Sequence, residues 1–247
     1  MAQSAHRREA AHWEEAGIVA GARVADVGCG PGAVATLVAG LVAPGGEVWA
    51  VDLDPQAVAT AETLALTLGL DNMRFHVGAA TATGLEPSTF DVVVMRHVLA
   101  HNGGREQQIV DHLASLLRPG GCVYLVDVEF KAMRVRPADA DLDDLSERYQ
   151  SFQTAGGNDL SVGLRLGELV IGAGLELVAH RGWYDIVAAP AGLRPPSWAA
   201  RQAMMEAGFA TQDDVDRWGA AFERIDEEAE PRTLFVPLFG ATGRRIA

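Results

Sequence analysis

Val24-Ala25-Asp26-Val27-Gly28-Cys29-Gly30-Pro31-Gly32 is the stretch whose reading decides the fold of this chain. Residues 24–27 are a short apolar run interrupted once, by Asp26. Glycines follow at alternate positions, and residues 33–41 are small and helix-forming. The order reads as strand, tight loop and helix. Glycine there permits positive φ and removes the Cβ atoms that would keep a ligand off the main chain. Further on, residues 47–52 (EVWAVD) read as a second strand ending in a carboxylate. An acid at that place can accept both hydroxyls of a ribose. Together these are the parts of a site for a nucleoside-bearing cofactor.

Composition bounds the rest. A chain of 247 residues with 49% hydrophobic content can bury a sizeable core, as one domain with insertions. No apolar run is long enough to span a membrane, and MAQSAHRREAAHWEE at the N-terminus is too polar for a signal peptide, so a cytoplasmic enzyme without a membrane partner is the expectation. The formal net charge of -13 argues against nucleic acid as a partner, since phosphate-rich binding needs a basic surface. Cys29 and Cys122 fit no zinc or redox spacing. The acids Asp139, Asp141, Asp143 and Asp144 do not form a calcium loop: Asp144 stands where the loop glycine belongs, and Gln150 replaces the closing glutamate. A helix start suits them better, because carboxylates favour the helix N-terminus.

In chain order, residues 5–16 read as a helix and 55–68 as another, with Pro55 at its start. Residues 73–77 and 90–95 are strands, the second apolar throughout, as a strand covered on both faces should be. A helix over 105–117 turns through Arg118-Pro-Gly-Gly121 into a strand over 122–128. Residues 129–139 are irregular, and helices are expected over 141–154 and 162–173. A strand at 175–180, a helical stretch at 190–230 and a last strand at 234–240 complete the chain. Strands alternating with helices make a doubly wound α/β sheet, and ligands of such sheets lie outside the carboxyl ends of the strands.

The glycine loop fits two families. Gly28, Gly30 and Ala33 satisfy the dinucleotide pattern G-x-G-x-x-G/A of nicotinamide enzymes. The fuller string resembles motif I, D-x-G-C-G-x-G, of the class I S-adenosylmethionine (SAM) methyltransferases, at Asp26, Gly28, Cys29, Gly30 and Gly32. Later segments extend that resemblance over roughly 21–182, toward the small-molecule, UbiE-like branch. It implies a seven-stranded, mostly parallel sheet whose last strand is antiparallel, a SAM cofactor leaving as S-adenosylhomocysteine, and methyl transfer to O, N or C of a small acceptor, expected to be a secondary metabolite. It also implies that the loop backbone holds the methionine part, Asp52 the ribose, and Leu53 the adenine face. The related enzymes often carry Gly-Asp-Ala after strand three, and here that Asp is Ala79, leaving Ala80 or Thr81 to read the adenine. Arg96 and His97 follow strand four on the cofactor side.

The resemblance further places His101 after strand four as general base and Asp127 after strand five as its partner. A histidine titrating near neutrality suits removal of a proton as the methyl arrives. Tyr149, Arg165, Trp183 and Trp198 are the expected acceptor-side residues, and helical insertions at about 130–160 and 190–230 are expected to form a lid. The ligand set of catechol-type enzymes is not recognisable, so metal independence is expected. Three rivals stand beside this reading. A hydride-transfer enzyme lacks its Tyr-x-x-x-Lys pair here, since Asp127 stands four before Lys131, the only lysine. A nucleic-acid methyltransferase lacks its Asn-Pro-Pro-Tyr and Pro-Cys signatures. A binding protein or pericyclic catalyst that retains SAM without transferring methyl is left open by an intact loop, as is a homodimer.

Overall fold

The structure is a computed structural model describing residues 2–246, with side chains from Glu9 onward. Among the described residues a single sheet holds eight strands: β1 (Arg23–Val27), β2 (Glu47–Asp52), β3 (Met73–Val77), β4 (Phe90–Arg96), β5 (Leu117–Val128), β6 (Arg134–Arg136), β7 (Glu176–Ala189) and β8 (Arg232–Arg244). The order is β3-β2-β1-β4-β5-β8, parallel as far as β5. β8 runs antiparallel between β5 and β7, and the short β6 pairs β8 beyond the end of β5. This is the expected seven-stranded doubly wound sheet with one added short strand.

Helices α1 (Ala2–Ala16), α2 (Ala33–Val42) and α3 (Pro55–Thr67) alternate with the first strands. Trp13 of α1 and Val38 of α2 join Val24, Val92, Val94, Tyr124 and Val126 in one apolar cluster. Helices α4 (Glu106–Leu116) and α6 (Leu166–Gly172) pack in a second cluster with Ala25, Val93, Met95, Val123 and Leu125. Adjacent strand residues divide between the two clusters because strand side chains alternate, so each strand supplies both layers. No helix joins β3 to β4; the chain crosses there as an extended loop.

The main departures from expectation arise from long-range pairing. β7 and β8 extend well past 175–180 and 234–240, because they pair with each other from Glu176↔Arg244 to Ala189↔Arg232. Strand β5 begins at Leu117, and Arg118-Pro-Gly-Gly121 bulges out between the pairs Phe90↔Leu117 and Val92↔Cys122. The helix expected over 162–173 opens instead as a 3-10 turn, Val162–Arg165, pressed against β5. A Cβ at Gly163 would stand 2.9 Å from the Val128 carbonyl oxygen.

The remaining helices are α5 (Ala140–Ala155), α7 (Pro196–Ala199), α8 (Arg201–Glu206) and α9 (Gln212–Asp226). The acids near 140 serve this layer. Asp139 caps α5, accepting from the Asp141 amide at 3.0 Å. Arg217 of α9 reaches Asp141 at 2.7 Å and Asp144 at 2.6 Å, while the Trp218 indole donates to Asp144 at 3.0 Å. Trp218 is fully buried, and Trp198 meets Phe222 edge-on with ring centroids 5.1 Å apart. The two insertions are therefore one helical layer held by apolar packing. Exposed ion pairs of this kind add little to stability individually. Trp218→Ala should lower the unfolding free energy by roughly 3–5 kcal/mol, and Trp198→Ala, at a half-buried position, by less. Urea unfolding followed by far-UV circular dichroism checks both, and an unchanged midpoint for Trp218→Ala would contradict this account of the layer.

Candidate functional site

The glycine loop joins β1 to α2 and is bound to β2 through the Gly28 and Cys29 amides, which donate to the Val51 carbonyl at 2.7 and 3.0 Å. Gly28 has φ 78°, and a Cβ there would lie 2.3 Å from Val98 Cγ2. Glycine at that position lets the segment after β4 press against the loop. Gly30 has φ 51°, and nothing lies within 4 Å of where its Cβ would be. Its backbone is bare toward open space, as close approach of a ligand requires. Gly32 caps α2 with φ 82° and no side-chain bond, so the first amides of that helix have no side-chain acceptor from the cap. The Cys29 thiol is buried, and burial, then Asp26 and Asp52, push its pKa far up, so it packs as a neutral group.

Asp52 ends β2 with one backbone donor on each oxygen: Gly30 N–H to Oδ2 at 2.8 Å and Asp54 N–H to Oδ1 at 3.0 Å. The carboxylate is thereby fixed, and each oxygen keeps acceptor capacity for a ribose diol. Leu53 beside it is 70% exposed, an apolar face with no protein cover. Across from it the half-buried Ala79, Ala80 and Thr81 form a tight loop closed by the Ala82 amide on the Ala79 carbonyl at 2.9 Å. Asp26, 3% exposed, has an Oδ2 without a partner among the described residues. Burial raises its pKa to about 7 against the pull of Arg96, with Asp52 adding to the rise. An orphaned buried acid, an open glycine and a pre-set diol acceptor together fit SAM, whose ammonium and sulfonium are cations.

The segment after β4 has the other half of the site. His97 takes φ 56°, an uncommon conformation for a non-glycine residue, held by its amide on the Val126 carbonyl at 2.9 Å. Its ring is solvent-accessible yet walled by protein, and burial, then Arg96 and His101, lower its pKa. His101, on the 3-10 turn Leu99–His101, is also exposed, with a pKa lowered by burial. Asp127, 1% exposed, accepts from the Ala100 amide at 3.2 Å and the Val128 amide at 2.9 Å. Burial raises its pKa to about 6, and these backbone bonds oppose the rise.

Two expectations need correction here. No hydrogen bond joins Asp127 to His101 among the described residues; Asp127 fixes the peptide backbone that carries the histidine, not its ring. The Arg96 guanidinium turns to Glu9 of α1, not to the cofactor loop. Glu9 is 1% exposed and also accepts from Tyr124 Oη at 2.9 Å and Trp13 Nε1 at 3.3 Å. Glu9 was missed because its one local signal is the spacing to Trp13. Its other partners are 87 and 115 residues away.

The four acceptor-side candidates do not meet. Trp183 packs with the cluster that holds α1 and meets the His12 ring at a tilt, ring centroids 5.5 Å apart. Tyr149 meets Phe130 at a tilt with centroids 5.5 Å apart, in the opposite cluster, and Trp198 packs half-buried in the helical layer. Arg165 pairs with Asp159 at 2.7 Å and lines a polar cleft of about 400 Å³ with Lys131, Asn158 and Ser161.

Two buried acids with raised pKa values set a pH dependence. Unfolded, both titrate near the ordinary value of about 3.9. The folded chain prefers their protonated forms, so their stabilisation is full below about pH 4 and is lost as pH rises through about 6 for Asp127 and about 7 for Asp26. In the cofactor-free protein, Asp26→Asn should make the decline in stability between pH 4 and 8 shallower, by an amount on the order of a few kcal/mol. Urea titrations at both ends of that range test this, and parallel pH profiles for the two proteins would exclude it.

A family model described as a methyltransferase domain matches residues 18–175. The ubiquinone biosynthesis O-methyltransferase of Burkholderia multivorans is 35% identical over 106 residues, 43% of this chain and 44% of that one. The enzyme of the same description from Cupriavidus pinatubonensis is 31% identical over 171 residues, 66% of this chain and 64% of that one. The matched stretch is thus under two thirds of either relative. Among solved structures, the YcgJ protein of Bacillus subtilis superposes with a TM-score of 0.63 at 18% identity, covering 98% of this chain and 99% of that one. A SAM-dependent methyltransferase from Aquifex aeolicus gives 0.56 at 15%, covering 96% and 89%. These structures speak for the fold, and the family model separates the chain from the nicotinamide enzymes whose glycine pattern it also satisfies. The chain belongs to the methyltransferase-domain family, with a class I SAM-dependent methyltransferase domain over residues 18–175.

Proposed function

We propose that this enzyme methylates an oxygen, nitrogen or carbon of a small secondary metabolite in the cytoplasm, with His101 as the general base. The observation that carries the reading is the position of the segment after β4. Val98 presses on Gly28 of the cofactor loop, Leu99 and Ala100 join the apolar cluster of the helical layer, and His97 and His101 are exposed between.

The roles follow from the donors present. The backbone around Gly28, Gly30 and Gly32, with Asp26 behind it, would hold the methionine part; Asp52 would take the ribose, and Leu53 and residues 79–81 the adenine. Bound there, SAM supplies an electrophilic methyl carbon on a sulfonium sulfur. The protein contributes alignment and exclusion of water. His101, neutral near pH 7 because its pKa lies below the usual imidazole value, accepts the proton that the acceptor sheds. Asp127 is a positioning residue, setting the backbone from which His101 projects. The insertions at 130–160 and 190–230 act as the lid, and Tyr149 and Arg165 stand on the acceptor side.

Two experiments test this. In calorimetry Asp52→Ala should weaken SAM by roughly 1.5–3 kcal/mol for each hydrogen bond to the charged acceptor that is lost, and unchanged affinity removes Asp52 from the site. Purified enzyme with methyl-labelled SAM and a metabolite library, read by mass spectrometry, should yield a product heavier by one labelled methyl. His101→Ala should then slow turnover by roughly 10²–10⁴-fold with S-adenosylhomocysteine affinity intact. Full turnover with the same pH profile would mean that His101 is not the base.

A further inference from the structure

The geometry points to His112, on α4, as a positioning residue that sets the cofactor's adenine-side loop through its neutral Nε2. This rests on the reading of residues 79–81 as the adenine side of the site. The loop is built on Thr83, which is fully buried. The chain doubles back so tightly that a Cβ on Gly78 would stand 2.5 Å from the Thr83 carbonyl oxygen. Gly78 is bonded to the Asp52 carbonyl at 2.9 Å, so Thr83 is the far post of a loop whose near post is the ribose acid's own backbone.

One side-chain atom from outside the loop meets Thr83 twice. Its amide N–H donates to His112 Nε2 at 3.0 Å, and its Oγ1 stands 2.8 Å from the same nitrogen. Oγ1 accepts from the Leu85 amide at 3.3 Å, which leaves its own proton for Nε2. An amide donor requires Nε2 to be the unprotonated nitrogen, so the ring is the Nδ1–H tautomer. A protonated ring would set N–H against N–H and leave a buried amide without an acceptor, which costs more than the bond is worth. Burial already lowers the His112 pKa, in the direction that keeps Nε2 an acceptor.

Other titratable groups on these elements do not hold the ring. His76 of β3 stands against Gly84 on the other side of the loop, Asp111 of α4 is bonded to Gln107, and Glu86 is exposed. Residues 78–82 (GAATA) carry no charged side chain, so the loop offers the adenine only its backbone and Thr81. Backbone recognition depends on the loop's shape, and His112 sets that shape from outside the pocket.

The test is S-adenosylhomocysteine binding to the full-length protein at pH 7.5 and 5.5, with amide NMR at Ala80 and Thr81. His112→Phe keeps the bulk of the ring without an acceptor and should bind about fivefold more weakly at pH 7.5. His112→Gln restores a non-titrating acceptor and should keep the pH 7.5 affinity. Wild-type affinity should fall below the ordinary imidazole range near 6.5 more steeply than that of His112→Gln. Wild-type affinity in His112→Phe, or equal pH dependence in wild type and His112→Gln, would overturn the role of His112 while the amides still respond to ligand. Silent amides at Ala80 and Thr81 in the wild type would instead overturn the adenine-side reading, and the proposal with it.

Discussion

The contact between Gly28 and Val98 is the constraint on which the site depends. A side chain at Gly28 would occupy the space of Val98 Cγ2, so the cofactor loop and the segment after β4 can meet only because that residue has no Cβ. The meeting fixes two things at once. It sets the position of the loop whose backbone faces open space at Gly30, and it anchors the root of the turn that presents His97 and His101. Asp127 then holds the same turn from the β5 side through the Ala100 amide. The candidate base is thus located by a steric contact on one flank and a backbone hydrogen bond on the other. Placement of a reacting group to a fraction of an ångström is worth large factors in rate, and rigid support of this kind is how a protein supplies it.

What was legible in the sequence was whatever is encoded locally. The apolar run, the alternate glycines and the acid at the end of β2 are each a few residues long, and their geometry follows from φ/ψ preference and strand alternation. Asp52 could be placed because the strand end that carries it is defined by its own residues. Arg96 could not, because the partner that turns it away, Glu9, is 87 residues distant and sits in a stretch that reads as an ordinary polar helix. Trp183 and Trp198 look alike as late aromatics, but alternation along β7 sends one to the cluster beneath α1, and Trp198 is taken into the helical layer. The lengths of β7 and β8 were hidden for the same reason: a ribbon extends as far as its partner does. The Asp127 role was half visible, since its strand end was clear but its bonding partner, a peptide group, leaves no mark in sequence.

The charge pattern shows why a chain with so many acids suits this cofactor. Asp26 lies near the end of β1 and Asp127 near the end of β5, on either side of β4, whose last residue Arg96 draws both toward the ionised form while its own charge is taken up by Glu9. The cation inside the sheet's carboxyl edge is therefore offset by an acid from the N-terminal helix. A buried carboxylate without a partner is costly by itself. It ceases to be so when a cationic ligand supplies the missing partner, which is why orphaned acids at a strand end point to a ligand and not to folding stability. Arg96, read from sequence as touching the cofactor, acts through field and packing, and α1 thereby becomes part of the site's electrostatics.

The same layout bears on how acceptor and cofactor are joined. Leu99 and Ala100 belong to one apolar cluster with Phe130, Leu145, Tyr149 and Trp218, so the proposed lid rests on the very turn that presents the candidate base. The cofactor loop touches that turn from the other side through Val98. Residues 98–100 thus meet the cofactor loop on one flank and the apolar cluster of the helical layer on the other. His97, just before them, is where strain would show, since its left-handed φ is maintained only by the Val126 carbonyl and the packing around it. Both sides of the site lean on residues 98–101, which Gly28, Asp127 and the apolar cluster each meet.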